Sequence, residues 1–159
     1  MVGFGYDSHR LAEGESLILG GVKLESPLGT VAHSDGDALL HAIADAVLGA
    51  AALGDIGEHF PDTDERWRGA NSMDLLRECC RMSREAGYEL VNIDCTLALE
   101  KPKVSPFKQE MRRNIAIACG LPSERVNVKA TTNEKMGFVG RQEGVAAFAV
   151  CMSNYISSH

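Results

Sequence analysis

VNIDCTLALE, residues 91–100, decides the fold. Val91, Ile93, Cys95, Leu97 and Leu99 alternate with a wetter set that includes Asn92, Asp94, Thr96 and Glu100. A period of two is that of a strand with one buried face. Downstream, Ser105-Pro106 sets a cap and a first-turn proline before a stripe of Phe107, Met111, Ile115 and Ala118, so a helix is predicted that ends at Gly120. Val126–Ala130 and Val145–Met152 read as further strands, the second apolar without interruption and so expected to be central. Upstream, Ser72–Ala86 reads as a helix closed by Gly87. Residues 57–71 carry Pro61, Gly69 and many charges, a loop long enough to suggest function or a lid. Ser34-Asp35-Gly36-Asp37 fits a capping box, with Ser34 as cap, opening a helix to Leu53; Leu40, Ile43, Ala44, Val47 and Ala51 form its stripe and Gly54 stops it. Leu17–Leu24 reads as strand with a turn or bulge at Gly20-Gly21, and Val2–Tyr6 as a short strand ending at Asp7. Strands and helices interleave without repeat or linker, which predicts one α/β (α+β) domain over residues 1–159, a sheet layered with helices.

The composition limits the function. The 16 Lys and Arg face 22 Asp and Glu for a net charge of −6, which argues against a nonspecific grip on nucleic acid. Asp45, Asp55 and Glu58 break the longest alanine-rich stretch, so no membrane span is expected. The opening MVGFGYDSHRL lacks the pattern of a signal peptide, and a cytoplasmic protein is expected. Five cysteines, an odd number without CxxC spacing, read as reduced, packed thiols.

Three groups of residues could carry chemistry. Asp7 and His9 alternate at a strand end and can converge with His41, on the first turns of the following helix. One carboxylate and two imidazoles with an open fourth position suit a catalytic zinc. Asp37 and Asp45 share the His41 face and offer carboxylates to orient its ring. The same residues also fit a turn-starting aspartate, an exposed His9 and a helix-surface His41. His33 and Ser34 lie beside a helix N-terminus, where free N–H groups favour phosphate, although capping alone accounts for Ser34 and Asp37. Lys129-Ala130-Thr131-Thr132-Asn133-Glu134 leaves a strand into a turn, where hydroxyls, amides and an acid could hold a diphosphate with Mg²⁺; Thr-Thr is equally good strand sequence and Glu134 a good cap.

Their joint order is more specific. GYDSHRL, then HSDGDALLHAIADAVLGAAALGDIGEHFPDTD, then Pro102-Lys103, then VKATTNEKMGFVGRQEG resemble the 2-C-methyl-D-erythritol 2,4-cyclodiphosphate synthases of the non-mevalonate isoprenoid pathway, over essentially the whole chain. The resemblance implies a mixed β-sheet with helices on one face, and a homotrimer with its sheets toward the threefold axis and active sites between subunits. It implies cyclisation of 4-diphosphocytidyl-2-C-methyl-D-erythritol 2-phosphate with release of CMP. Carried over by position, Asp7, His9 and His41 would hold zinc, and Glu134 a second divalent ion, Mg²⁺ or Mn²⁺, on the diphosphate. Thr132, with Ala130 and Thr131, would position the phosphates, and Lys103 within the segment from Leu99 to Val104 the cytidine half. His33, Ser34, Asp55, Gly57 and Asp62 would surround the methylerythritol phosphate. Phe138 and Arg141, with Glu143, would bind an isoprenoid diphosphate on the axis; a glycine-rich turn with a surface arginine fits them as well. Leu99-Glu100-Lys101 departs from the smaller, less charged approach the family leads one to expect before Pro102, and Asn133 replaces another small polar residue.

Two other functions fit parts of the pattern. A metal-dependent phosphohydrolase would use the same groups with Asp7 or Asp45 as the base on water. A non-enzymatic trimer binding isoprenoid diphosphates would use the loop of Phe138, Arg141 and Glu143 and would not need His41.

Overall fold

The computed structural model describes residues 1–156. In chain order the elements are β1 (Val2–Glu13), β2 (Leu17–Leu19), β3 (Val22–Leu24), β4 (Leu28–Thr30), α1 (Ala38–Ala50), α2 (Ile56–His59), α3 (Ser72–Glu85), β5 (Tyr88–Ala98), α4 (Lys108–Cys119), β6 (Val126–Thr131), α5 (Gly137–Gly140) and β7 (Gly144–Tyr155). Five strands form a mixed sheet in the order β4-β1-β7-β5-β6, parallel only between β5 and β6, while β2 and β3 make a separate hairpin. Helix α1 packs on β1 and β7, α3 on β5 and α4 on β6, so one face is covered.

β7 is central, as its apolar run predicts, but from Ala147 onward only alternate side chains are buried. Val145, Ala147, Ala149 and Cys151 enter the core, whereas Phe148, Val150 and Met152 are 39, 43 and 45% exposed on the other face. Val2, Phe4 and Tyr6 of β1 are exposed as well. The five cysteines are free and buried, and burial pushes the Cys79 and Cys95 thiols up to about 12 and Cys151 to about 11.

Three expectations need correction. β1 does not end at Asp7: Asp7 to Arg10 pair with Ala147 to Gly144, and Leu11 to Glu13 with β4, so ladder hydrogen bonds carry the strand through polar sequence. α1 is shorter than the expected 34–53, and its cap is Asp37, not Ser34. The fully buried Asp37 carboxylate accepts the N–H groups of Leu40 (3.1 Å), Gly20 (2.9 Å) and Gly21 (2.8 Å), tying the helix start to the β2–β3 turn. Residues 57–71 contain part of α2 and a 3-10 turn, Glu65–Trp67, and are not a plain loop.

Gly3 and Gly5 explain how close α1 comes to β1. A Cβ on Gly5 would lie 1.8 Å from the Ala42 carbonyl oxygen, and one on Gly3 1.8 Å from that of Ala46. The helix rests on bare backbone, and the same approach brings His41 over Asp7 two residues further along the strand.

Candidate metal and phosphate site

Asp7, His9 and His41 meet as their spacing suggests. Asp7 Oδ2 lies 2.7 Å from His9 Nε2 and 3.2 Å from His41 Nδ1, and the two nitrogens are 3.3 Å apart. Donors about 2.05 Å from a tetrahedral ion stand about 3.3 Å from one another, so this triangle fits one face of such a site. Asp7 Oδ2 is also buried with no hydrogen bond of acceptable geometry, an anionic oxygen that a cation would satisfy. Burial pushes the Asp7 carboxyl up, but the His41 and His9 rings outweigh it and hold it below the usual carboxylate range. Burial likewise lowers His9, and Asp7 outweighs that to raise it.

Both rings are oriented from behind. His9 Nδ1 faces the Val31 carbonyl at 3.4 Å, which directs Nε2 to the triad. His41 Nε2 donates to Ser72 Oγ at 2.8 Å, and the Ser72 hydroxyl donates to Asp35, which also accepts the Ser72 N–H at 3.0 Å. This relay from imidazole through hydroxyl to carboxylate leaves the His41 Nδ1 lone pair for a metal. Asp37 and Asp45, expected in that role, are engaged elsewhere. Asp37 caps α1, and Asp45 accepts the Ile56 N–H at 2.8 Å. No local sequence pattern pairs Ser72 with Asp35, because they lie 37 residues apart and Ser72 by itself signals only the start of a helix.

A cavity of about 350 Å³ opens beside the triad, lined by His33, Ser34, Gly57 and Asp62 as well as by His9 and His41. Phe60 and Trp67, stacked edge to face with centroids 4.9 Å apart, form an apolar wall absent from the expected set. Asp55, assigned to the same group, caps α2 with its carboxylate on the Glu58 N–H at 3.0 Å and does not line the cavity.

A second cluster gathers the remaining residues. Leu99 continues the β5–β6 pairing by donating its N–H to Thr131 at 3.0 Å, and its side chain is buried, so only its backbone is available to a ligand. Glu100 and Lys103 line a separate hollow of about 460 Å³. Thr131 and Thr132 are exposed at the end of β6, followed by a turn in which Met136 N–H binds Asn133 carbonyl at 2.9 Å. Its central residues, Glu134 and Lys135, take φ of 52° and 62°. Left-handed backbone of this kind costs a non-glycine residue of order 1–3 kcal/mol. Asp7, Ala147, Leu97 and Ala130 stand opposite one another on adjacent strands. Three strand spacings of about 4.8 Å therefore separate the triad strand from the threonine strand, about 14 Å in all. The fold sorts the expected site residues into two groups that one chain does not bring onto a single phosphate. Phe138 lies in a third hollow of about 420 Å³ with Ser8, Arg10 and Glu143. The Arg141 guanidinium is taken up by Glu143 at 3.0 and 3.2 Å.

The chain is similar to known proteins along almost its whole length. A 2-C-methyl-D-erythritol 2,4-cyclodiphosphate synthase of Chlorobaculum tepidum is 58% identical over 95% of this chain and 96% of its own. Among solved structures, the bifunctional IspDF of Campylobacter jejuni superposes with a TM-score of 0.94 at 48% identity, over 98% of this chain and 42% of that longer one. A 2C-methyl-D-erythritol-2,4-cyclodiphosphate synthase in its CDP-bound form gives a TM-score of 0.89 at 41% identity, covering 97% of this chain and 100% of the other. The sequence model of the YgbB family matches residues 1–154, and with relatives so similar along their whole length the chain belongs to that family.

Proposed function

We propose that the protein is a phosphorus–oxygen lyase that converts 4-diphosphocytidyl-2-C-methyl-D-erythritol 2-phosphate to 2-C-methyl-D-erythritol 2,4-cyclodiphosphate and CMP, in isoprenoid precursor biosynthesis. Similarity to the synthases over almost the entire chain supports the activity, and the half-buried triad with its unpartnered Asp7 oxygen is the structural observation that carries it. An oxygen of the 2-phosphate attacks the β-phosphorus, a new P–O bond forms, and the bond to the α-phosphate breaks with CMP as leaving group. The nucleophile is already anionic near neutral pH, so alignment and charge neutralisation do the catalytic work rather than a strong base.

On this reading Asp7, His9 and His41 hold zinc, and Glu134 holds Mg²⁺ or Mn²⁺ together with the diphosphate. Bound there, the two cations act as Lewis acids on phosphoryl oxygens. Ser34, His33, Gly57 and Asp62 receive the methylerythritol phosphate in the cavity beside the triad. Thr131 and Thr132 present hydroxyls to the phosphates, and Lys103 offers an ammonium to the cytidine diphosphate half.

The reading includes a homotrimer, with this single domain as protomer and active sites between subunits. Two observations support it: the separation of about 14 Å between the site's two halves within one chain, and the uncovered apolar sheet face of Phe4, Tyr6, Phe148, Val150 and Met152. Phe138 and Arg141 would meet an isoprenoid diphosphate near the axis once Glu143 yields the guanidinium. Among the described residues no helix is long and apolar enough to cross a membrane, and the reading places the enzyme in the cytoplasm.

Phosphorus NMR of the reaction tests the assignment. The cyclic diphosphate should appear with CMP, stop on chelation and resume when divalent metal returns. Linear phosphates alone would move the protein to the hydrolases.

A further inference from the structure

Glu100 stands where the sequence departs from expectation, and the structure gives its carboxylate two partners. Oε2 accepts the Asn133 N–H at 3.0 Å and Oε1 the Lys135 N–H at 3.1 Å. Both donors belong to the turn that carries Glu134, and they lie on either side of it in sequence. Glu134 and Lys135 are left-handed without being glycine, and an L side chain holds that conformation only where its surroundings impose it. Within the turn there are only the Asn133–Met136 backbone bond and a 3.3 Å contact from Glu134 N–H to Thr132 Oγ1. From outside, the Gly140 N–H holds the Met136 carbonyl at 3.0 Å, and Glu100 supplies the side-chain grip on either side of Glu134. It is half-buried, and its own backbone is anchored because the preceding residue, Leu99, extends the β5–β6 ladder to Thr131.

We propose that Glu100 is a positioning residue: by clamping the N–H groups of Asn133 and Lys135 it presets the turn that presents Glu134 to the second cation. The proposal rests on the reading above, in which Glu134 holds that cation. It gives the charge at position 100 a purpose that contact with the cytidine half does not require. A carboxylate offers an acceptor oxygen to each N–H, whereas an amide keeps one oxygen and turns an NH₂ toward the other donor. An alanine offers none, and the turn is then free to leave its left-handed conformation. Each Glu100 oxygen takes one N–H of the turn, so its part is to shape the turn rather than to bind Mg²⁺.

The test is turnover against Mg²⁺ concentration in Glu100→Ala, Glu100→Gln and the double variant Glu100→Ala/Lys135→Gly, with zinc content and thermal unfolding measured alongside. Glu100→Ala should raise the Mg²⁺ concentration for half-maximal activity about 10–100-fold while zinc and fold are retained. Glu100→Gln should fall between it and the parent. The double variant should recover part of the loss, since glycine adopts positive φ without strain. An unchanged Mg²⁺ dependence in Glu100→Ala, or a raised substrate KM at unchanged Mg²⁺ dependence, would overturn the proposal. Should Glu100→Ala not fold, Glu100→Gln decides: a shift of a few fold supports the clamp and none overturns it. Glu134→Gln serves as the separate control. If its Mg²⁺ dependence is normal, the parent reading of Glu134 has failed, whatever Glu100 does.

Discussion

The triad corner and the Asn133–Met136 turn solve opposite problems. At the corner every ligand side chain projects from regular structure, β1 or α1, and both imidazoles are fixed from behind by Val31 or by Ser72 and Asp35. At the turn the carboxylate of Glu134 is exposed, its backbone is left-handed, and the grip comes from one glutamate on a neighbouring loop. A rigid, complete donor set can bind zinc before substrate arrives, because softer nitrogen ligands and tetrahedral geometry are already in place. A lone carboxylate cannot; magnesium keeps its water and binds through one or two carboxylates plus substrate phosphate. On the proposed reading, the resident cation would belong to the folded protein and the second cation to the substrate complex.

The largest expected effect breaks the corner outright. His41→Ala should lose zinc from the substrate-free protein and lower kcat/KM by about 10³-fold or more, as removal of a Lewis acid worth several kcal/mol requires. Elemental analysis with turnover checks it, and full zinc in the variant would break the comparison. Glu134→Gln should keep the zinc and lose about 10²-fold in turnover, since one charge on the transferring group is gone. Near-normal turnover there would make the turn a bystander. Ser72→Ala should weaken zinc binding about 10-fold while the triad remains, because the His41 ring loses the partner that fixes its tautomer. Competition with a chromophoric chelator measures it.

Part of this contrast was legible in the sequence. The two-residue spacing of Asp7 and His9, and the helix that brings back His41, required only the periods of strand and helix. The alternation of β5 and the apolar run of β7 located the sheet. What sequence could not show depends on contacts between distant residues. Polar Ser8 and Arg10 stay in strand because β7 supplies ladder partners. Asp37 displaces Ser34 as the cap because burial against Gly20 and Gly21 decides among neighbouring candidates. The Ser72–Asp35 relay and the Glu100 clamp join residues more than thirty positions apart, and no local pattern records them.

The smallest effect concerns pH and needs the metal removed. In the chelated protein the raised His9 pKa adds stability that is complete below 6.5, its ordinary value, and is lost as pH rises through the folded value. The lowered Asp7 pKa adds stability present above 3.8 and lost as pH falls through its folded value. The metal-free protein should therefore lose stability as pH rises above 6.5, read as a falling Tm. The zinc form should firm up over the same range, because metal binds neutral imidazole. Parallel trends in the two forms would show that the triad does not carry the charges assigned to it.

On the proposed reading, a triad from one subunit works with a turn from its neighbour. Co-expressing His41→Ala and Glu134→Gln chains under different tags, and purifying trimers that carry both tags, tests it directly. Each variant alone should keep about 1% of normal turnover or less. In a trimer that carries both tags one interface of the three pairs an intact triad with an intact turn, so turnover should return to about a third of normal per site. No recovery in mixed trimers, with both variants folded and the second still holding zinc, would contradict the shared site.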